Sequence, residues 1–466
     1  MQKRNLLIII LFLFTGTIGW SAERIWQNFD FDWQFRLGEQ GIYKPVQLPH
    51  DWSIELDFNE EVGPESGYLP GGIGYYKKDF NVPASYKGKR VSIVFDGIYH
   101  KATIYLNGQE VDYHRYGYTS FETDLTPYLK YGGKNTLSVK VDHSEKSRWY
   151  TGSGIYRHVW MQVTNPIHVK MWGTYITTPR VSAESAIVSC VTTVANTSAL
   201  TGEIEIMQRI VDAQGNLLKI NGKQYAARTE VVMPENGTKD IAQSFTLSNP
   251  QLWNLEKPYL YRLETILKQK GKVIDRYTTR FGVRTIGFDK DKGFFLNGKN
   301  IKMKGACLHQ DAGCLGVAVP NRSYERRLTI LKEFGANAIR CSHNPPSPEF
   351  LNYCDSIGFL VVDEAFDKWK SGYYEQFFDE CWQQDIRDMI VRDRNHPSIV
   401  LWSIGNELAE ATRKDNVGVE RATLLRDFVH KLEPTRPTML ALAPAYQDKF
   451  ASVTDVVGYN YSELSY

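Results

Sequence analysis

The chain has 466 residues, of which 42% are apolar and 23% are charged, and its formal net charge is +2. This length suits about three domains of ordinary size, and the composition is that of a globular protein. The near-neutral charge and the lack of a basic run exclude a nucleic acid as the partner.

The N-terminal segment has the pattern of a processing signal. Two basic residues precede a short apolar run, Leu6–Phe14, which is too short for a permanent membrane helix. We expect residues 1–22 to be a signal peptide, and the protein to be periplasmic or secreted, with no membrane association after its removal. The alternative is an uncleaved anchor, because cleavage after Ala22 places Trp20 where a small residue is preferred.

Two β-rich stretches follow the signal. Residues 23–164 alternate apolar and polar positions between turns, and Asn107-Gly108 is a strong hairpin signal. This pattern predicts an all-β jelly-roll sandwich. Residues 165–286 repeat the alternation at a spacing that suits an immunoglobulin-like β-sandwich, to which we assign no chemistry.

Strands alternate with helices in residues 287–466. Six strands are expected, at Ile301–Leu308, Ala338–Cys341, Phe359–Val362, Ile399–Ile404, Thr438–Leu442 and Thr454–Tyr459. The helix expected at Tyr324–Phe334 has Leu328, Leu331 and Phe334 on one face. This alternation predicts a (β/α)8 TIM barrel, and because closure takes eight strands we expect the barrel to be incomplete in this chain.

The fourth of these strands carries the richest motif, DRNHPSIVLWSIGNE, which runs from Asp393 to Glu407. Its apolar and β-branched centre, Ser398–Ile404, is typical of a strand buried on both faces. Asn406 and Glu407 follow at the C-terminal tip, where parallel barrels carry their catalytic groups. Glu407 is therefore a candidate general acid/base. The alternative is a helix cap, because acidic side chains suit helix N-termini.

This motif resembles the acid/base signature of the family 2 glycoside hydrolases, the group of bacterial β-galactosidases, β-glucuronidases and β-mannosidases. The matching residues are Arg394, Asn395, His396, Pro397, Trp402, Gly405, Asn406 and Glu407. Three further segments resemble motifs of the family's N-terminal domain. They are LPHDW from Leu48, YTSFETDLT from Tyr118 and RWYTGSGIYR from Arg148. The resemblance implies hydrolysis of a terminal β-glycoside with retention of configuration.

The resemblance also implies roles for the motif. Glu407 is the general acid/base, and Asn406 binds the 2-hydroxyl of the sugar. A retaining enzyme needs a second carboxylate as nucleophile, about 5–5.5 Å from the first. In the family this residue ends strand seven, so we expect no nucleophile within this chain and an enzyme that is inactive or incomplete as it stands. Glu364 is the substitute that chemistry alone allows.

Other matches to the family lie at strand tips. These substrate-binding or supporting candidates are His309, Asp311, Arg340, His343, Asp363, Glu364, Trp369 and Tyr461. The resemblance implies that Arg340 and Tyr461 contact the nucleophile, while His309, His343 and Trp369 line the sugar subsite. Some β-galactosidases hold magnesium just after strand three. Here Lys368 places a cation in that region, so we expect neither a metal nor an organic cofactor.

The motif SIGNE, which ends at Glu407, is more similar to the corresponding motif of β-galactosidases than to that of the other family members. The expected partner is therefore a terminal β-galactoside of an oligosaccharide or glycan, and the sequence leaves a homo-oligomer open. Three alternatives remain. They are a β-glucuronidase or β-mannosidase, a non-catalytic carbohydrate-binding protein, and a truncated product whose open barrel edges promote aggregation.

Overall fold

The computed structural model describes residues 23–145, 147–220, 223–412, 415–443 and 448–462. The expected signal peptide, residues 1–22, lies outside the described residues. None of the described helices is both long and apolar enough to cross a membrane. Short 3-10 helices lie at Trp52–Glu55, Pro64–Ser66, Ala84–Tyr86, Thr126–Tyr128, Gly313–Leu315, Gly372–Gln376 and Ala409–Thr412.

The N-terminal unit is a sandwich of two antiparallel sheets. Its strands are β1 (Ile25–Asn28), β2 (Trp33–Leu37), β3 (Lys44–Val46), β4 (Gly72–Val82), β5 (Arg90–Phe95), β6 (Ala102–Leu106), β7 (Gln109–His114), β8 (Phe121–Asp124), β9 (Gly133–His143) and β10 (Val159–Thr164). The sheet orders are β1-β10-β5-β8 and β3-β2-β4-β9-β6-β7. The hairpin predicted at Asn107-Gly108 is confirmed, since β6 pairs with β7 across it and both residues have positive φ.

The middle unit is a second sandwich. Its strands are β11 (Ile167–Val181), β12 (Ser185–Asn196), β13 (Gly202–Val211), β14 (Lys219–Ile220), β15 (Lys223–Gln224), β16 (Ala227–Met233), β17 (Gly237–Ser248), β18 (Tyr261–Gln269) and β19 (Lys272–Phe281). The main sheets are ordered β11-β12-β17 and β16-β13-β18-β19. Alternate residues of these strands point into the shared core, as in an immunoglobulin-like sandwich.

The C-terminal unit begins with a small sheet of β20 (Ile286–Asp289), β21 (Gly293–Leu296) and β22 (Lys299–Asn300). The barrel elements are then β23 (Gly305–Leu308), α1 (Asn321–Glu333), β24 (Ala338–Cys341), α2 (Pro348–Ile357), β25 (Leu360–Glu364), α3 (Phe378–Asp393), β26 (Ile399–Asn406), α4 (Val417–Leu432), β27 (Thr438–Leu442), α5 (Asp448–Ala451) and β28 (Val456–Tyr459). The six strands β23 to β28 are parallel and neighbour each other in chain order. They form the curled, incomplete TIM barrel that the sequence predicts, with β23 and β28 as its edges.

Two local predictions for the barrel are wrong. Strand one begins at Gly305 rather than Ile301, because Gly305 is the first residue that pairs with β24. Phe334 does not share the buried face of α1 with Leu328, which is fully buried. Phe334 is the C-terminal cap of that helix and is 85% exposed.

Strand β26 is the centre of the barrel wall, and all eight of its residues are buried. This confirms the strand predicted from the run Ser398–Ile404. At its C-terminal end, a Cβ atom on Gly405 would lie 3.0 Å from the indole Nε1 of Trp369. The same Nε1 donates to Ile404 O at 2.7 Å. A side chain at position 405 would therefore be crowded, because Trp369 packs directly against the strand.

The other end of β26 is attached to the middle sandwich. The side chain of Asn395 accepts from Ile176 N at 2.9 Å and donates to Thr174 O at 2.7 Å, so it pairs with β11. The Arg394 guanidinium lies over the Tyr175 ring, 4.6 Å from its centroid. Arg284 donates to Pro397 O at 2.5 Å. The first part of the signature motif thus forms an interdomain joint.

The jelly roll is attached to the barrel through the RWYTGSGIYR segment. The buried Arg157 donates to Tyr118 O at 2.8 Å within its own domain and to Pro345 O at 2.9 Å in the barrel. Arg148 donates to both carboxylate oxygens of Asp367, at 2.9 and 2.6 Å. This loop therefore reaches the C-terminal ends of the barrel strands, where the candidate site lies.

Candidate active site

Glu407 directly follows β26 and has the surroundings expected of an acid/base group. Its backbone N–H donates to Ala441 O at 2.8 Å, and its φ of 45° lies in the left-handed region. Its Oε1 accepts from Asn460 Nδ2 at 2.8 Å. Oε2 has no hydrogen-bond partner within the described ranges, and the side chain is half-buried. One carboxylate oxygen is thus fixed, and the other can exchange a proton with a substrate.

The orientation of the Asn406 amide follows from its neighbours. Its Oδ1 accepts from Arg340 Nη2 and from Asn460 Nδ2, both at 3.0 Å. Its Nδ2 donates to Asp367 Oδ1 at 2.9 Å. Because two donors face the oxygen, the nitrogen position is determined. The second amide hydrogen has no partner in the described part of the chain, so it can bind a sugar hydroxyl.

Glu364, at the end of β25, is fully buried and fully engaged. Its Oε2 accepts from Arg340 Nε at 2.8 Å and from Ser403 Oγ at 2.6 Å. Its Oε1 lies 2.6 Å from His343 Nδ1. A carboxylate neutralised on both oxygens is a poor nucleophile. The structure therefore places Glu364 as the residue that orients Arg340 and His343.

An aromatic cluster lies beside this network. The Trp149 ring, from the jelly roll, lies 5.2 Å from the His309 ring and 5.6 Å from the His343 ring. Burial lowers the pKa of His309, and the neighbouring His343 adds to this effect, so His309 is neutral near pH 7. A neutral imidazole can both donate a hydrogen bond to sugar hydroxyls and accept one from them.

Four predicted site residues do not join these contacts. Trp369 is fully buried against β26, so its expected position lining the sugar subsite is wrong. Asp363 is also fully buried, and burial together with Asp393 holds its pKa well above the usual range. Asp311 accepts from Gly313 N within its own loop. Tyr461 is 76% exposed. Trp369 and Asp363 thus act as supports within the fold.

No residue in the described ranges is identified as the nucleophile. Of the glutamates that follow β26, Glu410 is buried and paired with Arg421 at 2.8 Å. Glu433 is buried and accepts from Trp402 Nε1 at 2.9 Å. Glu420 is exposed on α4. Among the described glutamates of this region, Glu407 is therefore the one whose carboxylate lies at a strand tip with an oxygen available to a substrate.

Sequence reasoning missed several groups that build the site. Asn460 contacts both Asn406 and Glu407, although only its neighbour Tyr461 was selected from the same strand tip. Ser403 lies within the strand and binds Glu364. Lys368 was considered only as an obstacle to a metal, whereas its ammonium donates to Asn406 O at 2.7 Å. The position of Asn460 directly after a parallel strand was the available signal.

Comparison with known proteins assigns the chain to a family. The description "Glycosyl hydrolases family 2, sugar binding domain" matches residues 31–166, "Glycosyl hydrolases family 2" matches residues 167–284, and "Glycosyl hydrolases family 2, TIM barrel domain" matches residues 289–463. The chain belongs to glycosyl hydrolase family 2. The resemblance read from the signature motif is therefore confirmed.

The family 2 relatives include enzymes of two specificities. β-Galactosidase BoGH2A of Bacteroides ovatus is 41% identical over 93% of the chain and 56% of its own length. A β-glucuronidase of Bacteroides fragilis is 30% identical over 92% of the chain and 63% of its own length. A family 2 member from Bacteroides cellulosilyticus superposes with a TM-score of 0.88 at 39% identity, over 94% of the chain and 58% of that structure. The chain thus spans little more than half the length of the relatives it matches.

Proposed function

We propose that this family 2 chain carries the acid/base part of a retaining glycosidase that acts on terminal β-galactosides. The observation that supports this proposal best is the environment of the Glu407 carboxylate. One of its oxygens accepts from Asn460, and the other has no hydrogen-bond partner in the described ranges. The reaction would be hydrolysis through a glycosyl-enzyme intermediate, in which the anomeric carbon exchanges its bond to the leaving oxygen for one to a carboxylate nucleophile. The described residues do not supply that carboxylate, and the family places it at the end of strand seven. In this reaction, Glu407 first protonates the leaving oxygen and then deprotonates the attacking water.

A cavity near the site has room for one ring. It measures about 130 Å³ and lies between the jelly roll and the barrel, lined in part by Trp149, His343 and Asp367, whereas Glu407 is not one of its lining residues. Its volume is close to that of a cavity of about 150 Å³, which holds one benzene ring. The cations at its rim, Arg148 and Lys368, both bind Asp367. Because they share one carboxylate, one positive charge remains at the rim, and a β-glucuronide is therefore the competing substrate that the test must include. The choice of a galactoside rests on the SIGNE motif and on the similarity to β-galactosidase BoGH2A.

The test is turnover by the chain extended by the two strands that would close the barrel and supply the nucleophile, with and without Glu407→Gln. All kinetic measurements below use this extended chain. We expect 4-nitrophenyl β-galactoside to be preferred over the β-glucuronide and the β-mannoside by at least about tenfold in kcat/KM, on the scale of one well-placed contact. Glu407→Gln should lower kcat for an alkyl galactoside by roughly 10²-fold or more. With Glu407→Ala, added azide should release β-galactosyl azide. Without its general base the enzyme activates water poorly, so the glycosyl-enzyme intermediate reacts with the azide anion instead. Preference for the glucuronide would overturn the substrate assignment.

One observation favours a second function. Glu364 is engaged by Arg340, Ser403 and His343, and no nucleophile is identified in the described ranges. A protein of this kind would bind β-galactosides without hydrolysing them. Calorimetric binding of galactose by a folded chain that turns over none of the three substrates, and binding that survives Glu407→Gln, would establish this second function instead.

We also propose export for this protein, on the basis of the pattern in residues 1–22. The relevant measurement is the N-terminal sequence of the protein recovered from the periplasm and the medium. Cleavage near Ala22 would support the proposal.

A further inference from the structure

The dipeptide Asp367-Lys368, in the loop after β25, holds Asn406 from three directions. Asn406 N–H donates to Asp367 O at 2.9 Å, and Asn406 Nδ2 donates to Asp367 Oδ1 at 2.9 Å. Lys368 Nζ donates to Asn406 O at 2.7 Å. The peptide group that joins Asn406 to Glu407 is therefore fixed at both ends, because its N–H is bound by Ala441 O.

This fixed peptide precedes an unfavourable backbone conformation. Glu407 has a φ of 45°, in the left-handed region that residues with a Cβ atom rarely adopt. Such a conformation persists only where the surroundings determine it. Rotation of the peptide would move the Asn406 carbonyl away from the Lys368 ammonium. The contact thus opposes the rotation that would relax φ and redirect the Glu407 side chain.

The charges around Lys368 suit this role. Its side chain is 15% exposed and lies 3.1 Å from Asp367 Oδ1. Burial and the nearby Arg148 lower the pKa of Lys368, while attraction to Asp367 and to Glu407 opposes that effect. Asp367 is in turn bound by Arg148 of the jelly roll. The ammonium is therefore held between a carboxylate anchored to the other domain and the carbonyl of Asn406, the residue that precedes Glu407.

We propose that Lys368 is a positioning residue for Glu407. Its ammonium binds the Asn406 carbonyl, and together with Asp367 it holds the left-handed turn from which Glu407 reaches the substrate. The functional half of this inference rests on the proposed role of Glu407 as acid/base. The structural half concerns only the conformation of the chain and can be tested separately.

The structural test compares crystal structures of the unmodified chain, Lys368→Met, Lys368→Arg and Lys370→Met. Methionine keeps an unbranched chain that lacks only the terminal ammonium, whereas arginine can still donate to the carbonyl. Lys370, two residues away, pairs with Asp379 and is the matched control. We expect Glu407 to leave its positive φ, or to lose Asn460, in Lys368→Met only. A Lys368→Met structure that keeps both features overturns the proposal.

The functional test uses two substrates that differ in their need for an acid. For an alkyl β-galactoside, Lys368→Met should lower kcat by about tenfold to a hundredfold, because general acid catalysis contributes roughly 10²–10⁴-fold. For 2,4-dinitrophenyl β-galactoside, whose leaving group needs little protonation, kcat in the first step should change less than about threefold. Equal losses on both substrates would show a merely structural role. If the extended chain without substitutions hydrolyses no β-glycoside, the proposed function fails, and the crystal structures still decide the positioning.

Discussion

Replacing Arg340 by methionine should open the barrel locally, because it would leave Glu364 as a buried carboxylate without its cation. Arg340 donates to Glu364 from Nε, at 2.8 Å, and lies 2.7 Å from it through Nη2. The carboxylate is fully buried, whereas the guanidinium is 13% exposed. The pair therefore lies at the base of the cleft and not on the protein surface.

The magnitude follows from this burial. Removal of one partner from a buried ion pair costs about 3–5 kcal/mol. Ser403 Oγ and His343 Nδ1 remain at 2.6 Å from Glu364, and they place the expected loss near the lower value, about 3 kcal/mol. Because about 1.4 kcal/mol corresponds to a factor of ten, local opening should become roughly 150-fold more frequent.

Hydrogen exchange followed by mass spectrometry on peptides from β24 to β26 measures this opening. The control is Arg322→Met, which removes a pair with Glu325 at the surface, where the arginine is 78% exposed. The control should change the opening free energy by less than about 1 kcal/mol. In Arg340→Met/Glu364→Gln part of the loss should return, because no buried charge is left unpaired. This reasoning would be refuted if Arg340→Met exchanged at the same rate as Arg322→Met. It would also be refuted if the double variant lost more opening free energy than its two single variants together.

Three further predictions concern other parts of the structure. Burial opposes ionisation of Glu433, yet Arg436 and several hydrogen bonds lower its pKa from 4.5 to about 2. Its ionised form should therefore contribute about 3 kcal/mol above pH 4.5, lost as the pH falls towards 2. The gap in unfolding free energy between the unmodified chain and Glu433→Gln should close over that window. Asn395→Ala should weaken the joint with β11 by about 1–3 kcal/mol, measured as faster proteolysis between the two domains. Asn460→Ala should lower kcat for an alkyl β-galactoside by about tenfold, because it frees Glu407, and a change confined to KM would contradict that role.

Where local rules decide the conformation, the sequence predicts the barrel elements well. The bounds of helix α2 follow from local signals, because Ser347 caps its N-terminus, Pro348 occupies the first turn and Gly358 ends it with a φ of 85°. Strand β26 is predicted by its apolar run, because a strand buried on both faces needs apolar side chains throughout. Each of these signals lies within a few residues of the feature that it specifies.

The contacts that build the candidate site are less predictable, because they join residues far apart in the chain. Trp369 and Lys368 are neighbours in sequence, but Trp369 packs into the core while the Lys368 ammonium binds Asn406 O. An aromatic residue near a strand tip fits a sugar platform and a core position equally well by sequence. The glycine at position 405 leaves room for the indole of Trp369 against β26, a contact between residues 36 positions apart in the chain.

The signature motif combines two tasks, and this explains its density. Asn395 and Pro397 form contacts with the middle sandwich at the start of β26. Asn406 and Glu407 carry the proposed chemistry at its end, so the residues that make the resemblance specific are not all catalytic. Sequence alone cannot separate these groups, because both are short polar runs that flank one apolar strand.

The two tasks are linked physically through β26 itself. Its first residue, Ile399, is held through its carbonyl by Arg284 at 2.6 Å and Arg436 at 2.8 Å. Its last residue, Asn406, is held by Lys368. The strand that carries Glu407 is thus buried along its whole length and hydrogen-bonded at both ends. The middle sandwich takes part in this arrangement through Arg284, which binds the start of the strand at the opposite end from the candidate site.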